Sequence, residues 1–500
     1  MGPSDFIGLL GLVLAAFAII PWTERKFYLL FFTKMELRLA VIFICFIQVF
    51  MSFDWIQRHW WPALQRFTIK AGIPATTWAY ILAVSVVIYP VAIIIRGRFP
   101  VKNKRKLISL YKKMVAGNEI PQLVQYLEIH HKKDIIYFLQ QQSETTQLPN
   151  NLKIAREVFD KIINDEKFVE YNAQSFPHFL SHIIVSLKKV DPHNKKLISQ
   201  YSKHLCTWGN AEFLTELEDL PDADWTNLNT IFSNGRFPIF KSLIKPANRK
   251  FRKEAAFTIG NMGVNSLQKT TTRQFLQKKS PEDMNENMNE ADYEEMILSE
   301  CRGQSIWTAI VFYRYLIQAV IIEADPDDTL FVGYYLKYVQ ELMAMEPVTL
   351  SSNSFLLIET IISNLVSWLK LFNEERIKQQ PKRLQTILVI LGKIIEEVAT
   401  WKPDAKINLA KFQKDQIKKI IQYHLDVQQR NNCPASKIME AETRRLLQSP
   451  SFTGADRLPT YEYIDLFSQA WDEWKQEETI TPGQQAYVEE KILPQLNIHT

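Results

Sequence analysis

The chain has 500 residues, 47% of them apolar and 23% charged, with a formal charge of +5, values that on their own describe a soluble protein of two to four domains. The charge is unevenly spread: residues 1–106 hold thirteen basic and four acidic side chains, a local charge of +9, and the remaining 394 residues carry −4. A mildly acidic body is a poor candidate for general nucleic-acid binding, which needs excess Lys and Arg on the contacting face. With 15 glycines in 500 residues and abundant Leu, Ile, Lys, Glu and Gln, the composition disfavours β-rich and glycine-loop architectures and favours helices.

Three uncharged runs open the chain, and they predict membrane spans at about residues 6–23, 39–53 and 74–95. The first run holds eighteen residues, about 27 Å as a helix. No Lys or Arg precedes it, which argues against a cleaved signal peptide. Gly8, Gly11, Ala15 and Ala18 form a small-residue stripe on this span, suited to close helix packing within the chain or between copies. The second run is shorter and relies on Arg38 snorkelling at one end. The third contains Pro90, which predicts a kink.

Basic residues concentrate between spans one and two (Arg25, Lys26, Lys34, Arg38) and directly after span three (Arg96, Arg98, Lys102, Lys104, Arg105, Lys106), the latter reading as a cytoplasmic anchor. The positive-inside bias puts the N-terminus outside and the large C-terminal part in the cytoplasm of an inner-membrane protein. Trp55, Trp60 and Trp61 in the outer loop are expected at headgroup level. Spans one and three contain no ionisable Asp, Glu, Lys, Arg or His, which disfavours a carrier or proton relay.

From residue 99 the pattern is amphipathic helices separated by Pro- and Asn-containing breaks. Helices are expected over 105–116, 120–142, 152–164, 176–190 and 195–208, then over 306–322, 329–345, 354–372, 383–400, 406–427 and 435–448. The expected organisation is a transmembrane region (1–98), a helical domain with a basic patch (99–280), an acidic, mobile connection (281–295), a second helical domain (296–450) and a helical tail (451–500). The fold class is therefore all-α: a bundle of three transmembrane helices followed by a large cytoplasmic bundle or irregular α-solenoid. The apolar run 306–322 is not counted as a span because Arg314 stands at its centre; its neighbours Tyr313 and Tyr315 indicate a partly wet interface.

His178 and His182 are four apart and share a helix face, and with His204 or Cys206 they form a candidate metal-ligand set; Glu128, His130, His131 and Asp134 form a weaker one, because adjacent histidines point in different directions on a helix. The zinc-peptidase glutamate is missing between His178 and His182, so the expectation is no metal and no cofactor. Asp283, Asn285, Asn287 and Glu294 have calcium-loop spacing, but Met288 stands where the loop needs Gly. Arg236, Lys241, Lys245, Arg249, Lys250, Arg252 and Lys253 form a basic cluster interleaved with Phe237, Phe240 and Phe251, a pattern suited to an anionic ligand or lipid surface or to a solvated face. No phosphate-binding loop, dinucleotide fingerprint, nucleophile elbow or cysteine pair is present.

In layout, though in no motif, the chain resembles the membrane effectors of prokaryotic defence systems. The resemblance implies a non-enzymatic protein whose cytoplasmic part senses or binds a protein partner and whose transmembrane part assembles as a homo-oligomer in the lipid bilayer. The competing readings are a passive membrane-tethered scaffold and a membrane-bound metal-dependent hydrolase or nuclease using the histidine-rich block.

Overall fold

The computed structural model describes residues 22–53, 75–96, 99–141, 149–188, 192–207, 211–220, 237–244, 249–269, 301, 304–323, 329–345, 352–372, 374–401, 409–429, 434–448, 450, 460–476 and 480–497. Every regular element among them is helical, so the fold is all-α. Residues up to Tyr171 form one compact unit and residues from Asn172 a second.

The first unit begins with α1 (Trp22–Leu29), α2 (Lys34–Met51) and α3 (Ala75–Arg96). Thr33 ends the turn after α1 with a capping box: its hydroxyl accepts from the Glu36 amide at 3.2 Å and its own amide donates to the Glu36 carboxylate at 2.6 Å. α2 and α3 pack on each other, and the Tyr89 hydroxyl reaches Glu36 Oε1 at 3.4 Å, which sets the end of α3 beside the start of α2 and makes the pair antiparallel. α3 continues through Pro90 to Arg96.

Next come α4 (Lys104–Ala116), α5 (Ile120–His130), α6 (Lys132–Gln141), α7 (Asn150–Val158, extended by a π-turn over Phe159–Ile163) and α8 (Glu166–Ser175). Asn118, with φ 58°, supplies the left-handed turn that ends α4. The expected single helix over 120–142 is two helices, because the chain breaks at His131. Leu123, Leu127, His131, Ile135 and Leu139 recur every fourth residue and are all buried, so the break falls where the core stripe places an imidazole instead of an aliphatic side chain.

The second unit continues with α9 (Pro177–Val185), α10 (Pro192–Thr207), α11 (Ala211–Glu218), α12 (Pro238–Ile244) and α13 (Arg249–Leu267). After α14 (Ser305–Glu323) follow α15 (Gly333–Met343), α16 (Ser352–Lys370), α17 (Glu374–Gln379) and α18 (Pro381–Thr400). It ends with α19 (Leu409–Gln429), α20 (Pro434–Gln448), α21 (Tyr461–Lys475) and α22 (Pro482–Tyr487), the last running on through a π-turn to Leu493–Asn497. Proline opens α9, α10, α12, α18, α20 and α22, at a position whose amide has no helical partner to lose.

α14 is the central helix of this unit and packs against α10, α11, α13 and α16. Among the described residues it is the one helix long and apolar enough to cross a membrane, and 78% of its apolar window is buried inside the protein. α2 falls outside that class because Lys34, Glu36 and Arg38 stand in its opening turns. Arg314 is half-buried, as its position requires, and lies 5.4 Å from the Tyr315 ring centre. The expected wet flanks are dry: Tyr313 and Tyr315 are buried, their hydroxyls donating to the carbonyls of Ala256 (2.6 Å) and Leu220 (2.8 Å).

The carbonyls at the end of α14 would be orphaned in a dry core. Arg376 donates to Ile321 (2.7 Å), Gln380 also to Ile321 (3.0 Å) and Arg383 to Val320 (2.9 Å), so α17 and α18 bring cations and amides to the negative end of the helix dipole. On the other side, α13 offers Gly260 and Gly263 to a tyrosine cluster. A Cβ at Gly263 would meet the Tyr338 hydroxyl at 2.7 Å, and one at Gly260 would clash with Tyr313 and Tyr334. These glycines let the Tyr338 hydroxyl reach the Gly260 carbonyl at 3.1 Å. Burial raises the Tyr313 and Tyr338 phenols well above their ordinary range, so both remain neutral donors.

Candidate functional site

The first unit presents two features that belong together: an antiparallel helix pair with apolar outer faces, and an aromatic joint at its charged end. On α2, Met35, Leu37, Leu39, Val41, Ile42 and Phe43 are exposed, followed by Phe46 and Val49. On α3, Tyr80, Ile81, Val84, Ile88 and Tyr89 are exposed. Other exposed large apolar side chains among the described residues are mostly scattered singly, at Ile129, Tyr137, Phe176, Phe257, Ile438 and Tyr461. A contiguous apolar surface of this kind marks a protein or membrane contact.

The joint is built from residues on both sides of this pair. Phe27 on α1 and Phe31 in the turn after it are fully buried. Phe27 stacks on Tyr126 of α5 with centroids 3.9 Å apart and planes 5° from parallel. Phe31 stacks on Phe99 at 4.0 Å, and Phe99 in turn lies over His131 at 5.3 Å with planes 14° apart. His131 Nε2 is 3.0 Å from the buried Tyr111 hydroxyl of α4. Each aromatic pair contributes about 0.5–1.5 kcal/mol beyond its buried area, so the cluster is a strong local anchor.

One polar clamp completes it. The Asn103 side-chain amide donates to the carbonyls of Leu30 and Phe32, both at 2.8 Å, which ties the turn between α1 and α2 to the first residue before α4. Burial drives the His131 imidazole down to about 3, with the neighbouring His130 adding to the effect, so the ring is neutral across the physiological range. Burial also lifts Tyr126 to about 12. The joint is therefore uncharged at its centre, with the acids Glu24 and Glu119 near enough to Tyr126 to add to its shift.

Of the expected anchor, Lys102, Arg105 and Lys106 are exposed, and Lys104 instead pairs with Glu157 at 2.5 Å. That hydrogen bond holds the Glu157 carboxyl below its ordinary range. Arg96 ends α3 and only its backbone is described, while Arg98 lies outside the described residues. Gly8, Gly11, Ala15, Ala18, Trp55, Trp60, Trp61 and the acidic connection 281–295 also lie outside them.

The described residues of the basic cluster at 236–253 are divided between core and surface. Arg252 is buried and pairs with Glu323 at 2.9 Å, and Phe237, Phe240 and Phe251 are core residues. Lys250 is exposed, Lys241 and Lys253 are half-buried, Arg249 is described by its backbone alone, and Arg236 and Lys245 fall outside the described residues. The amphipathic signal misread here is a non-local one: Arg252 faces inward because α14 ends in an acid beside it.

His178 and His182 are exposed on α9 while His204 and Cys206 are buried on α10. Among the described residues no three His, Cys, Asp or Glu side chains come together as a metal site. His178 lies 3.5 Å from Glu212 and 4.0 Å from Glu216. Glu216 is buried and accepts from the amides of Ile239 and Phe240 at 3.2 and 2.8 Å, capping α12.

Sequence reasoning missed Phe27, Phe31, Phe99 and Asn103. Their signal was aromatic residues in the basic loops, where headgroup-level side chains are also aromatic and the two roles look alike. Comparison of the chain with protein-family models, with curated proteins and with solved structures found no match.

Proposed function

We propose that this chain is a membrane-anchored, non-enzymatic helical protein whose cytoplasmic part senses or binds a protein partner and whose transmembrane part assembles as a homo-oligomer in, or perturbs, the inner membrane. The prokaryotic defence effector is the functional class this layout fits. The observation that carries the reading is the first unit's division of surface: α2 and α3 turn large apolar side chains outward, while the segments at their charged ends meet in one buried joint.

That division supports an arrangement in which residues 27–33 and 99–103 lie on the same side of the bilayer, as the charge bias requires. It also gives a partner bound to the first unit's cytoplasmic helices a route to the membrane: displacing α4 or α5 moves the rings that fix the ends of α2 and α3. The test is inducible expression, alone and with the neighbouring genes, while membrane potential is followed. Loss of potential and growth arrest under a triggering condition are expected; intact potential and normal growth under every condition contradict the effector reading.

A further inference from the structure

Beside the joint lies a groove of about 640 Å³, between the α1–α2 turn and one face of α4. This volume is within the range of small-ligand sites, about 300–1,000 Å³. Five basic side chains line it: Lys26 and Lys34 from the turn and its ends, and Arg105, Lys106 and Lys113 from α4. Positions 105, 109 and 113, and likewise 106 and 110, are four apart, so α4 aims one helical face at the groove. Glu119 is the one acid in the lining. Lys34, Arg105, Lys106 and Lys113 are exposed and make no ion pair among the described residues, in contrast to Lys104 on the opposite face of the same helix.

The floor and mouth are apolar. Leu110 and Met114 are buried at the base, and Leu29 and Leu37 are exposed at the rim. Above Leu37 the same face of α2 continues with Val41 and Cys45, both exposed, into the helix whose outer surface is apolar. A ligand that satisfies both parts carries a phosphate at one end and hydrocarbon at the other. A soluble phosphate compound would leave the Leu37–Val41 stripe uncovered.

We infer that this groove is a binding site for the phosphate headgroup of an anionic phospholipid of the cytoplasmic leaflet, with the acyl chains lying along α2. The inference rests on the membrane reading of α2 and α3 and names the lipid class that the basic collar recognises. Lys34 and the α4 residues close on the phosphate from opposite walls, so the site responds to any movement of α4 relative to the α1–α2 turn.

The full chain, purified in detergent, is titrated with phosphatidylglycerol and with phosphatidylcholine, and bound lipid is counted by native mass spectrometry. Retention of phosphatidylglycerol over phosphatidylcholine is expected. The triple substitution R105Q/K106Q/K113Q and the single substitution Lys34→Gln, on separate walls and all at exposed positions, are each expected to weaken phosphatidylglycerol binding, the triple by about tenfold or more. Equal binding of the two lipids, or undiminished binding in both variants, overturns the site. Displacement by glycerophosphoglycerol, the deacylated headgroup, at concentrations similar to the lipid assigns the groove to a soluble phosphate ligand and overturns the lipid. Carbonate extraction of the same wild-type membranes is read alongside: release of the chain rejects the membrane reading, whereas retention with unselective lipid binding rejects the groove alone.

Discussion

Phe31 stacks face to face on Phe99 with ring centroids 4.0 Å apart, joining the turn that leads into α2 to the segment that leaves α3. Two stretches of chain separated by both helices are thus fixed to one another, and Asn103 adds hydrogen bonds to the carbonyls on either side of Phe31. The arrangement makes the ends of the helix pair part of the first unit's core instead of a linker.

Asn103→Ala removes both donors and leaves two carbonyls short of a partner, at a cost of about 1–3 kcal/mol. Hydrogen exchange of the full chain is expected to accelerate over residues 22–33 and to change little in the second unit. Asn103→Asp, which keeps the shape but has no N–H to donate, should behave like the alanine variant; unchanged exchange in both shows that the rings alone hold the joint.

The Tyr111–His131 pair at 3.0 Å is open to a double-mutant cycle. His131→Phe preserves the stack on Phe99 but strands the buried Tyr111 hydroxyl, with an expected loss of about 1–3 kcal/mol. Combining it with Tyr111→Phe should recover most of that loss. Additive losses would mean that the hydrogen bond contributes little and that ring packing is the whole of the interaction.

Gly260→Ala and Gly263→Ala introduce a Cβ into space held by tyrosine side chains, and each is expected to lower stability by about 1–3 kcal/mol. Gly333→Ala is the control, because nothing lies within 4 Å of a Cβ there. It is expected to be neutral or slightly stabilising on thermal unfolding. Equal effects at all three positions would contradict the close approach of the cluster to α13.

Arg383→Met keeps the apolar stem but deprives the Val320 carbonyl of its donor at the buried end of α14. A loss of about 1–3 kcal/mol is expected, measured by chemical unfolding followed through the second unit's tryptophans. Burial lowers Arg376 to about 10, still charged at neutral pH, so it retains its bond to Ile321 and softens the effect.

Glu216 gives a pH signature. Burial raises its carboxyl from 4.5 to about 7, so the folded chain holds a proton that the unfolded chain releases. Its contribution is fully present below about 4.5 and is lost as the pH rises through about 7, by an amount on the order of 3 kcal/mol. The fall in melting temperature between pH 5 and pH 8 is expected to shrink in Glu216→Gln. His424, lowered to about 4 by burial, acts in the opposite sense, losing stability as the pH falls from 6.5 through 4, and separates from Glu216 on the acid side.

Much of the helical architecture was legible locally. α14 spans Ser305–Glu323 against an expectation of 306–322, because a mostly apolar run, interrupted by Arg314, ends at an acid and a proline. The proline-opened helices α18 and α20 start within two residues of expectation for the same reason. The break at His131 was not read, although the residue occupies the core phase of its helix. The local pattern places Arg252 and Phe251 at the surface because the partner that buries the arginine, Glu323, lies far along the chain. The joint at Phe27, Phe31, Phe99 and Asn103 depends on bringing together two segments on either side of a helix pair, which no local pattern encodes.

The central claim is that the α1–α2 turn and the start of α4 share the cytoplasmic side while the loop between α2 and α3 lies across the membrane. Single cysteines at Lys26, Gln57 and Lys102, in a full chain whose own cysteines are replaced by serine, can be probed with a membrane-impermeant maleimide before and after permeabilisation. The account predicts labelling of Gln57→Cys in intact cells and of Lys26→Cys and Lys102→Cys only after permeabilisation. Labelling of Lys102→Cys from outside, or protection of Gln57→Cys until permeabilisation, would contradict it.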